Sequence, residues 1–550
     1  MHLIARCIEG LRARLAGEDG FTMATAMLAM LVVTLATVGT VTAVNGDIKL
    51  TTRDLDKKRA FEAAQAGLAD YTFHLNKDNG YWAKCTNVPT PNAVNNVGST
   101  AKRRNVPGST GASYALELIP ATGKSVCNTG DPVGSMIEQT AGTSNGTFRV
   151  RSTGYAGSTQ QSIVATYKRA SFLDYVYFTQ FETSDPVTYG STSAINQAYS
   201  QCVKFYRAGR SSSTLPCTEI VFASAEQING PVHTNDEFNI CGTPTFGRNQ
   251  SDLIEVSAPP QGWRGSSNCG GNSPVFKGTY ITNSPVLTPP TTNDSLRDVD
   301  GVAMYTGQTR IVLNGTQMTV TNSAGQTTTG PIPSSGVIYV QNSPSVACST
   351  AYSPFAMNTT TYQTTSSCGN VYISGTYTTG LTVAAENDIV VDNDLCRGSC
   401  SGSPSGDGML GLIANNFIRV FHPIYPQTTT TTSSNCNSTV NLTSNNVPAG
   451  SPPYGGVTQT NLRIDAAMLA IQHSFIVDHY NCGSALGTLT VNGAISQKFR
   501  GPVGTVSGTT TQSGYSKNYN YDDRLRYLAP PHFLDPVETA WHIQRQTIDP

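Results

Sequence analysis

Residues 17–47 read GEDGFTMATAMLAMLVVTLATVGTVTAVNGD, a short polar leader followed by an apolar run that opens at Gly20 and Phe21. From Phe21 to Gly46 there is no Asp, Glu, Lys or Arg. An apolar helix needs about 20 residues to cross a bilayer, so this run is long enough to span one. A secretory signal peptide also sets basic residues before an apolar stretch. Its core is only about 7–15 residues, however, and no small-x-small cleavage site precedes a soluble start here.

Helical character continues past the apolar run. The segment DIKLTTRDLDKKRAFEAAQAGLADYTFHLN carries Ile48, Leu55, Ala63, Ala66 and Leu68 at near-helical spacing, with no proline before Pro89. One helix is predicted from Phe21 to about Leu75, on the order of 80 Å at a rise of about 1.5 Å per residue. Its first half is apolar all round. Its second half is charged, with an alanine-rich stripe suited to packing on a domain or a neighbouring subunit.

The leader ending in Gly20, Phe21 after it, the apolar helix and AFEAAQAGL at Ala60–Leu68 together resemble a type IV prepilin, in particular the PilX-like minor pilins. The resemblance implies a leader (1–20) removed after Gly20 by a prepilin peptidase, N-methylation of Phe21, and a transmembrane and assembly helix (21–75). It also implies a pilin-like head, with other pilin subunits and the membrane as partners. The sequence departs from major pilins at Thr25, where the glutamate usual at the fifth mature position is missing. A carboxylate buried in an apolar bundle needs a partner, which in the family is the amine of the adjacent subunit's first residue. Thr25 cannot make that pair, and the departure reads either as family drift or as a minor or tip subunit.

Charge flanks the span on both sides, with Arg6, Arg12 and Arg14 before it and Lys49, Arg53, Lys57, Lys58 and Arg59 after it. The positive-inside rule alone leaves the topology open. Cysteine usage decides it: of thirteen cysteines, Cys7 lies in the leader and twelve follow the span. Disulfides persist in extracytoplasmic compartments, and no CxxC or Cys/His group has zinc spacing. The expected topology is a single pass through the cytoplasmic membrane, N terminus inside and bulk outside, with surface or filament display after assembly. Consecutive pairing would join Cys85 to Cys127, Cys202 to Cys217, Cys241 to Cys269, Cys348 to Cys368, Cys396 to Cys400 and Cys436 to Cys482. Partly free thiols are the alternative.

The chain has 550 residues, of which 38% are apolar and 13% charged, with a net charge of -1. Such balance offers no clustered basic surface for phosphate backbones, so no nucleic-acid partner is expected. Residues 76–185 read as a pilin-like head with a β-meander. TFRVRSTGYAG and QQSIVATYKRA each alternate with period two, and Gly154 to Gly157 is the expected hairpin turn. A connector (186–217) follows. SFLDYVYFTQFE, at 171–182, leads out of the head.

From Thr218 onward, QINGPVHTNDEFNI, LTVAAENDIVVDN, MLGLIANNFIRVFH, DAAMLAIQHSFIVDH and GTLTVNGAISQKF resemble one another as apolar strand, bend and β-branched strand. Such rungs point to a parallel β-helix over 218–505, with Val383, Ile413 and Leu469 at equivalent inward sites and Asn387, Asn416 and His473 at a common corner. Irregular spacing keeps a β-sandwich open as the alternative. The polar loop around Thr428 to Thr432 cannot bury apolar surface, and sequons occur at Asn437 and Asn441. The final segment, 506–550, carries Tyr515, Tyr519, Tyr521, Tyr527, Asp522, Asp523, Arg524 and Arg526, which read either as a binding site or as a cap over the last coil.

The fold class is therefore α+β, mostly β: a long N-terminal helix, a small α/β head and a large disulfide-stapled β domain. Two function classes follow. One is a minor pilin or pseudopilin-like filament component that displays its β domain for assembly or adhesion, its outer contact a surface carbohydrate or host ligand. The other is a membrane-anchored carbohydrate-active enzyme, a lyase or hydrolase, with Asp388, Asp392, Asp394, Asp478, Asp522 and Asp523 as candidate acids and His473 and His479 as a weak metal pair. No G-x-S-x-G, Walker A, HExxH or EF-hand loop is present. The first class is the expectation, with no catalytic residue, cofactor or metal.

Overall fold

The computed structural model describes residues 23–78, 80–85, 103–138, 147–169, 171–206, 210, 217–224, 226–266, 269, 271–344, 346–348, 367–426, 439–441, 458–507, 510–526, 528–537 and 541–549. Helix α1, Met23–Lys77, runs for 55 residues. Ala60, Ala63, Ala64, Leu68, Tyr71 and Leu75 are buried along it, the three-and-four spacing of an amphipathic face. That face packs on an antiparallel sheet of β1 (Arg104–Asn105), β2 (Ala112–Ile119), β3 (Thr147–Ala156), β4 (Thr159–Arg169) and, as fifth strand, Trp541–Asp549 from the far end of the chain.

Small residues set how close helix and sheet come. A Cβ on Gly154 would collide with the Ala60 carbonyl oxygen and the Ala64 amide nitrogen, and one on Gly67 would strike Ser152 Oγ. Gly154 therefore lies mid-strand under the helix, paired with Gln161, and does not open the hairpin turn expected of it. The turn falls between Ala156 and Thr159, at Gly157, whose φ of 55° suits glycine. Beneath the helix, Tyr71, Trp82, Phe148, Tyr167 and Trp541 form an aromatic core.

The large domain is built from two long ladders whose coil-to-coil pairings are all parallel. One runs, in spatial order, Ala303–Thr306, Val337–Gln341, Leu381–Ala385, Leu410–Ala414, Ala467–Ala470, Ala485–Phe499, β5 (Tyr177–Phe181), Val232–Thr234, Leu253–Val256 and Thr279–Thr282. The other includes Thr309–Gly315, Val371–Tyr377, Ile389–Arg397, Thr510–Tyr521, Gln227–Asn229, Thr245–Phe246 and Val275–Phe276. Parallel neighbours need a full crossover between them, so this is a stack of coils and not a two-sheet antiparallel sandwich.

Spatial order is not chain order. β5 enters mid-stack, flanked by Ile495–Phe499 on one side and Val232–Thr234 on the other. From there the chain winds to Thr279–Thr282 at one end, crosses to Ala303–Thr306 at the other, and winds back to close against its own entry strand. The domain thus extends beyond 218–505 at both boundaries.

Register corrects one inward assignment. Ile413 pairs with Leu469 and with Ala384, while Val383 pairs with Leu412. Val383, Leu412 and Met468 fill the coil interior. Ile413 and Leu469 face the other way, into a second cluster with Phe172, Phe178, Leu287 and Leu296, because a one-residue offset switches faces in a strand. At the corner, Asn387 donates to Asn370 Oδ1 at 2.6 Å and Asn416 donates to Asn387. His473 sits one step away, stacked on Phe417 with centroids 4.5 Å apart.

The cap is elsewhere too. Thr510–Tyr521 is an internal rung, and Trp541–Asp549 belongs to the head. Over the end coil at Thr309–Gly315 lies the hairpin Gln317–Thr321 and Thr327–Pro331, which buries Met318 and Val320 in the main core. The connector carries a helix, Thr192–Gln201.

Among the described residues, five disulfides join cysteines in chain order: Cys85–Cys127, Cys202–Cys217, Cys241–Cys269, Cys348–Cys368 and Cys396–Cys400. Cys482 is also disulfide-bonded, while Cys436 lies outside the described residues.

Gly154→Ala should destabilise the head by about 1–3 kcal/mol, the usual range for overpacking. Denaturant unfolding followed by tryptophan fluorescence reads this directly, since Trp82 and Trp541 both lie in the head core.

Candidate functional site

The N-terminal half of α1 is not buried against the other described residues. Thr25–Thr42 has a mean hydropathy of 1.9 with none of it buried, and Met23, Met30 and Leu35 are 74%, 73% and 65% exposed. Its hydroxyls are turned inward: Thr34 Oγ1 donates to the Met30 carbonyl at 2.6 Å, Thr37 to Val33 at 2.9 Å and Thr42 to Val38 at 2.9 Å. The surface left to the surroundings is methyl and methylene, the chemistry a bilayer or an apolar helix bundle accepts. Thr25 is exposed on this half. Gly20 and Phe21 lie outside the described residues.

Where α1 meets the head, Lys57, Lys58, Phe61, Glu62 and Gln161 line an open cavity of about 380 Å³. Between the span and this point the helix is charged, with Arg53, Asp54, Lys57 and Lys58 exposed.

The acids weighed for catalysis are engaged by basic side chains or by backbone. Buried Arg419 donates to both Asp478 oxygens (Nε to Oδ1 2.9 Å, Nη2 to Oδ2 2.8 Å) and to Asp388 Oδ2 at 3.0 Å. Asp392 accepts from Arg310 at 3.0 Å and Asp394 from the Arg463 amide at 2.8 Å. Asp522 is held by Arg397 and Arg524, and Asp523 by Arg248. His473 Nδ1 meets Asp185 Oδ2 at 3.0 Å, and Ser474 Oγ donates to that same carboxylate oxygen at 3.2 Å. The hydroxyl thus faces the acid and not the imidazole, which is not a nucleophile–base pairing. Asp394, Cys396 and Cys400 bring ligand atoms within 4.8 Å of one another, but the disulfide takes up both sulfurs.

Tyr515, Tyr519 and Tyr521 are buried in the solenoid core, while Tyr527, Asn437 and Thr428 to Thr432 lie outside the described residues. Asn441 donates to Ser484 Oγ at 3.0 Å. Arg248 donates to Asp523 Oδ2 at 2.7 Å and to Asp252 Oδ1 at 2.8 Å. That pairing holds the Asp523 carboxyl below its ordinary range. At Asp252, burial pushes the other way and Arg248 outweighs it.

One cluster has no counterpart in the sequence reading. At the junction of β5 with the C-terminal coils, fully buried Arg500 bridges Glu182 Oε2 at 3.2 Å and Glu226 Oε2 at 3.5 Å, and donates to the Ile220 and Val221 carbonyls at 3.0 Å each. Its guanidinium lies 3.5 Å from the Phe222 ring centroid. Lys517 pairs with Glu226, burial pushing the Lys517 ammonium below its ordinary range while Glu226 opposes the shift. The four charged residues come from far-apart stretches of chain, with no local motif to announce them.

Residues 139–251 match the model of a family described as Domain of unknown function (DUF4900). Among solved structures, the chain is similar to the crystal structure of the competence-associated pilin ComZ from Thermus thermophilus, at 12% identity, covering 90% of this chain and 97% of that one with a TM-score of 0.26. No curated protein matches.

Arg500→Met should strand Glu182 in the core, while Glu226 keeps Lys517, and cost about 3–5 kcal/mol, read as a lowered urea midpoint. Asp252 and Asp523 have depressed pKa values in the fold, so their contribution is present above about pH 3.9 and is lost as pH falls through the folded values. The urea midpoint should therefore drop as the pH falls below about 3.9 and through the lowered folded values. Arg248→Met should make that drop shallower, and an unchanged profile would refute the assignment.

Proposed function

We propose that this chain is a minor pilin or pseudopilin-like subunit that holds a large β-solenoid outside the membrane for assembly or adhesion. What carries the reading is the division of α1, whose uncharged Thr25–Thr42 half has no buried residue among those described while Ala60 to Leu75 is locked into the head. A helix of this kind is stable in a bilayer, and equally in a bundle of apolar helices that replaces lipid contacts. In this reading a prepilin peptidase cuts after Gly20 and Phe21 becomes the methylated first residue. Thr25, in place of a carboxylate, removes the need for a charged partner in the bundle and suits a subunit at a filament end. The twelve cysteines after the span favour a solenoid on the oxidising side.

The solenoid then acts by what it touches and requires no chemistry of its own. Asp388 and Asp478, the acids on which a polysaccharide-cleaving reading depends, are both bound by Arg419, which favours a structural role for them.

The test is processing. In the native host, the mature chain should begin at methylated Phe21 by intact mass and N-terminal sequencing, and Gly20→Ser should retain residues 1–20 and abolish surface display. Identical N termini and display in both chains would sink the reading.

A further inference from the structure

The last strand of the head sheet comes from the far side of the solenoid. Trp541 pairs with Arg169 and Asp549 with Ser162. Trp541 is 4% exposed, its ring centroid 4.7 Å from Phe148 and 5.9 Å from Trp82, near perpendicular to both. At the other end, Arg151 bridges Glu117 Oε2 at 2.7 Å and Asp549 Oδ2 at 2.6 Å. Between these two anchors Arg545 to Ile548 are exposed, Ile548 to 64%. Pairing with β4, the Trp541 ring in the head core and the Arg151–Asp549 ion pair are among the contacts that hold the strand.

Its approach is laid over the solenoid. Pro531 seats against Gly336 and Gly380, and Pro530 and Phe533 against Gly411, where added Cβ atoms would crowd them. Thr382 donates to the Pro531 carbonyl, and the Val537 amide donates to Thr288 at 2.7 Å. These residues come from separate rungs, so the track exists only once the coils have stacked.

We infer that the β4 edge and the slot beside Phe148 and Trp82 form a strand-acceptor site, and that Trp541–Asp549 is its resident ligand, docking after the solenoid has folded. The head sheet, and with it the seat of α1, is then completed only in a chain whose displayed domain is finished. An unfilled β4 would leave an open sheet edge, a template for foreign strands.

The experiment uses the folded full chain with a specific protease sequence over residues 538–540. After cutting, the nonapeptide is held by its site alone. Once it is removed by gel filtration, amides of β3 and β4 should exchange about tenfold faster or more, while those of Val371–Tyr377 stay unchanged. A synthetic peptide of residues 541–549 should restore protection, and the same peptide carrying Trp541→Ala should not. Head amides that stay protected, loss that spreads to Val371–Tyr377, or failure of the peptide to rescue would each overturn the inference. If the cut peptide cannot be removed, Trp541→Ala in the intact chain decides: faster exchange in β3 and β4 supports the site, and unchanged exchange overturns it. Order is read with Arg500→Ala, which breaks the solenoid's closing contact. β4 should then lose protection, whereas a fully protected β4 beside an unfolded solenoid would overturn late docking.

Discussion

The solenoid depends on the contact between β5 and the strand Ala485–Phe499, where the chain closes on its own entry point. In one ladder it joins the coils from β5 to Thr279–Thr282 to those from Ala303 to Phe499, as Thr510–Tyr521 joins Ala485–Phe499 to Gln227–Asn229 in the other, so that neither group of coils is left with a bare edge. Phe178 pairs with Ser496 on one side and with His233 on the other, which makes the stack continuous. Arg500 sits at the end of this closure, satisfied by two carboxylates, two carbonyls and a ring face. A buried charge is tolerated when its donors are all used, and is costly when one acceptor is missing. The cluster therefore favours one closing register over neighbours that would leave Arg500 or Glu182 unpaired.

What the sequence made legible was local. The uncharged run, the alanine stripe and the period-two strands of the head each follow from spacing within a few residues, and the parallel solenoid follows from rung resemblance. Ring order was not legible, because no local pattern says that Tyr177 pairs with Ile495, or that Trp541 returns to Arg169. Those pairings are chosen by what else is left to bury once the coils stack. Ile413 shows the finer limit: in a strand such as Leu410–Ala414, both faces are buried, alternation vanishes, and the inward face cannot be read. Gly154 shows another. A glycine among polar residues reads as a turn, but here it is where a helix backbone meets a sheet.

The candidate site divides the same way. The helix half that would enter a membrane or a bundle is written plainly in composition. The acids that suggested chemistry, Asp388 and Asp478, were visible as residue types, but the arginine that binds both lies between them in sequence and reaches them from adjacent coils. Buried carboxylates in a solenoid wall are often neutralised from the next rung, a relation sequence spacing does not record.

Insertion of the solenoid into the head also sets the path of any load. The chain leaves the head at Arg169 and returns at Trp541, and these two residues are paired with each other. A force drawing the solenoid away from α1 therefore pulls β4 and the C-terminal strand from the same end, in the same direction. It does not peel one from the other. The resisting contact is the β3–β4 ladder, registered from Thr147–Lys168 through Ala156–Thr159, loaded along its strands so that its hydrogen bonds share the force. Gly154 lies within this ladder under Ala60 and Ala64, so the ladder that resists the load is also the one on which α1 is seated. Helix α1 and the solenoid thus meet on one pair of strands.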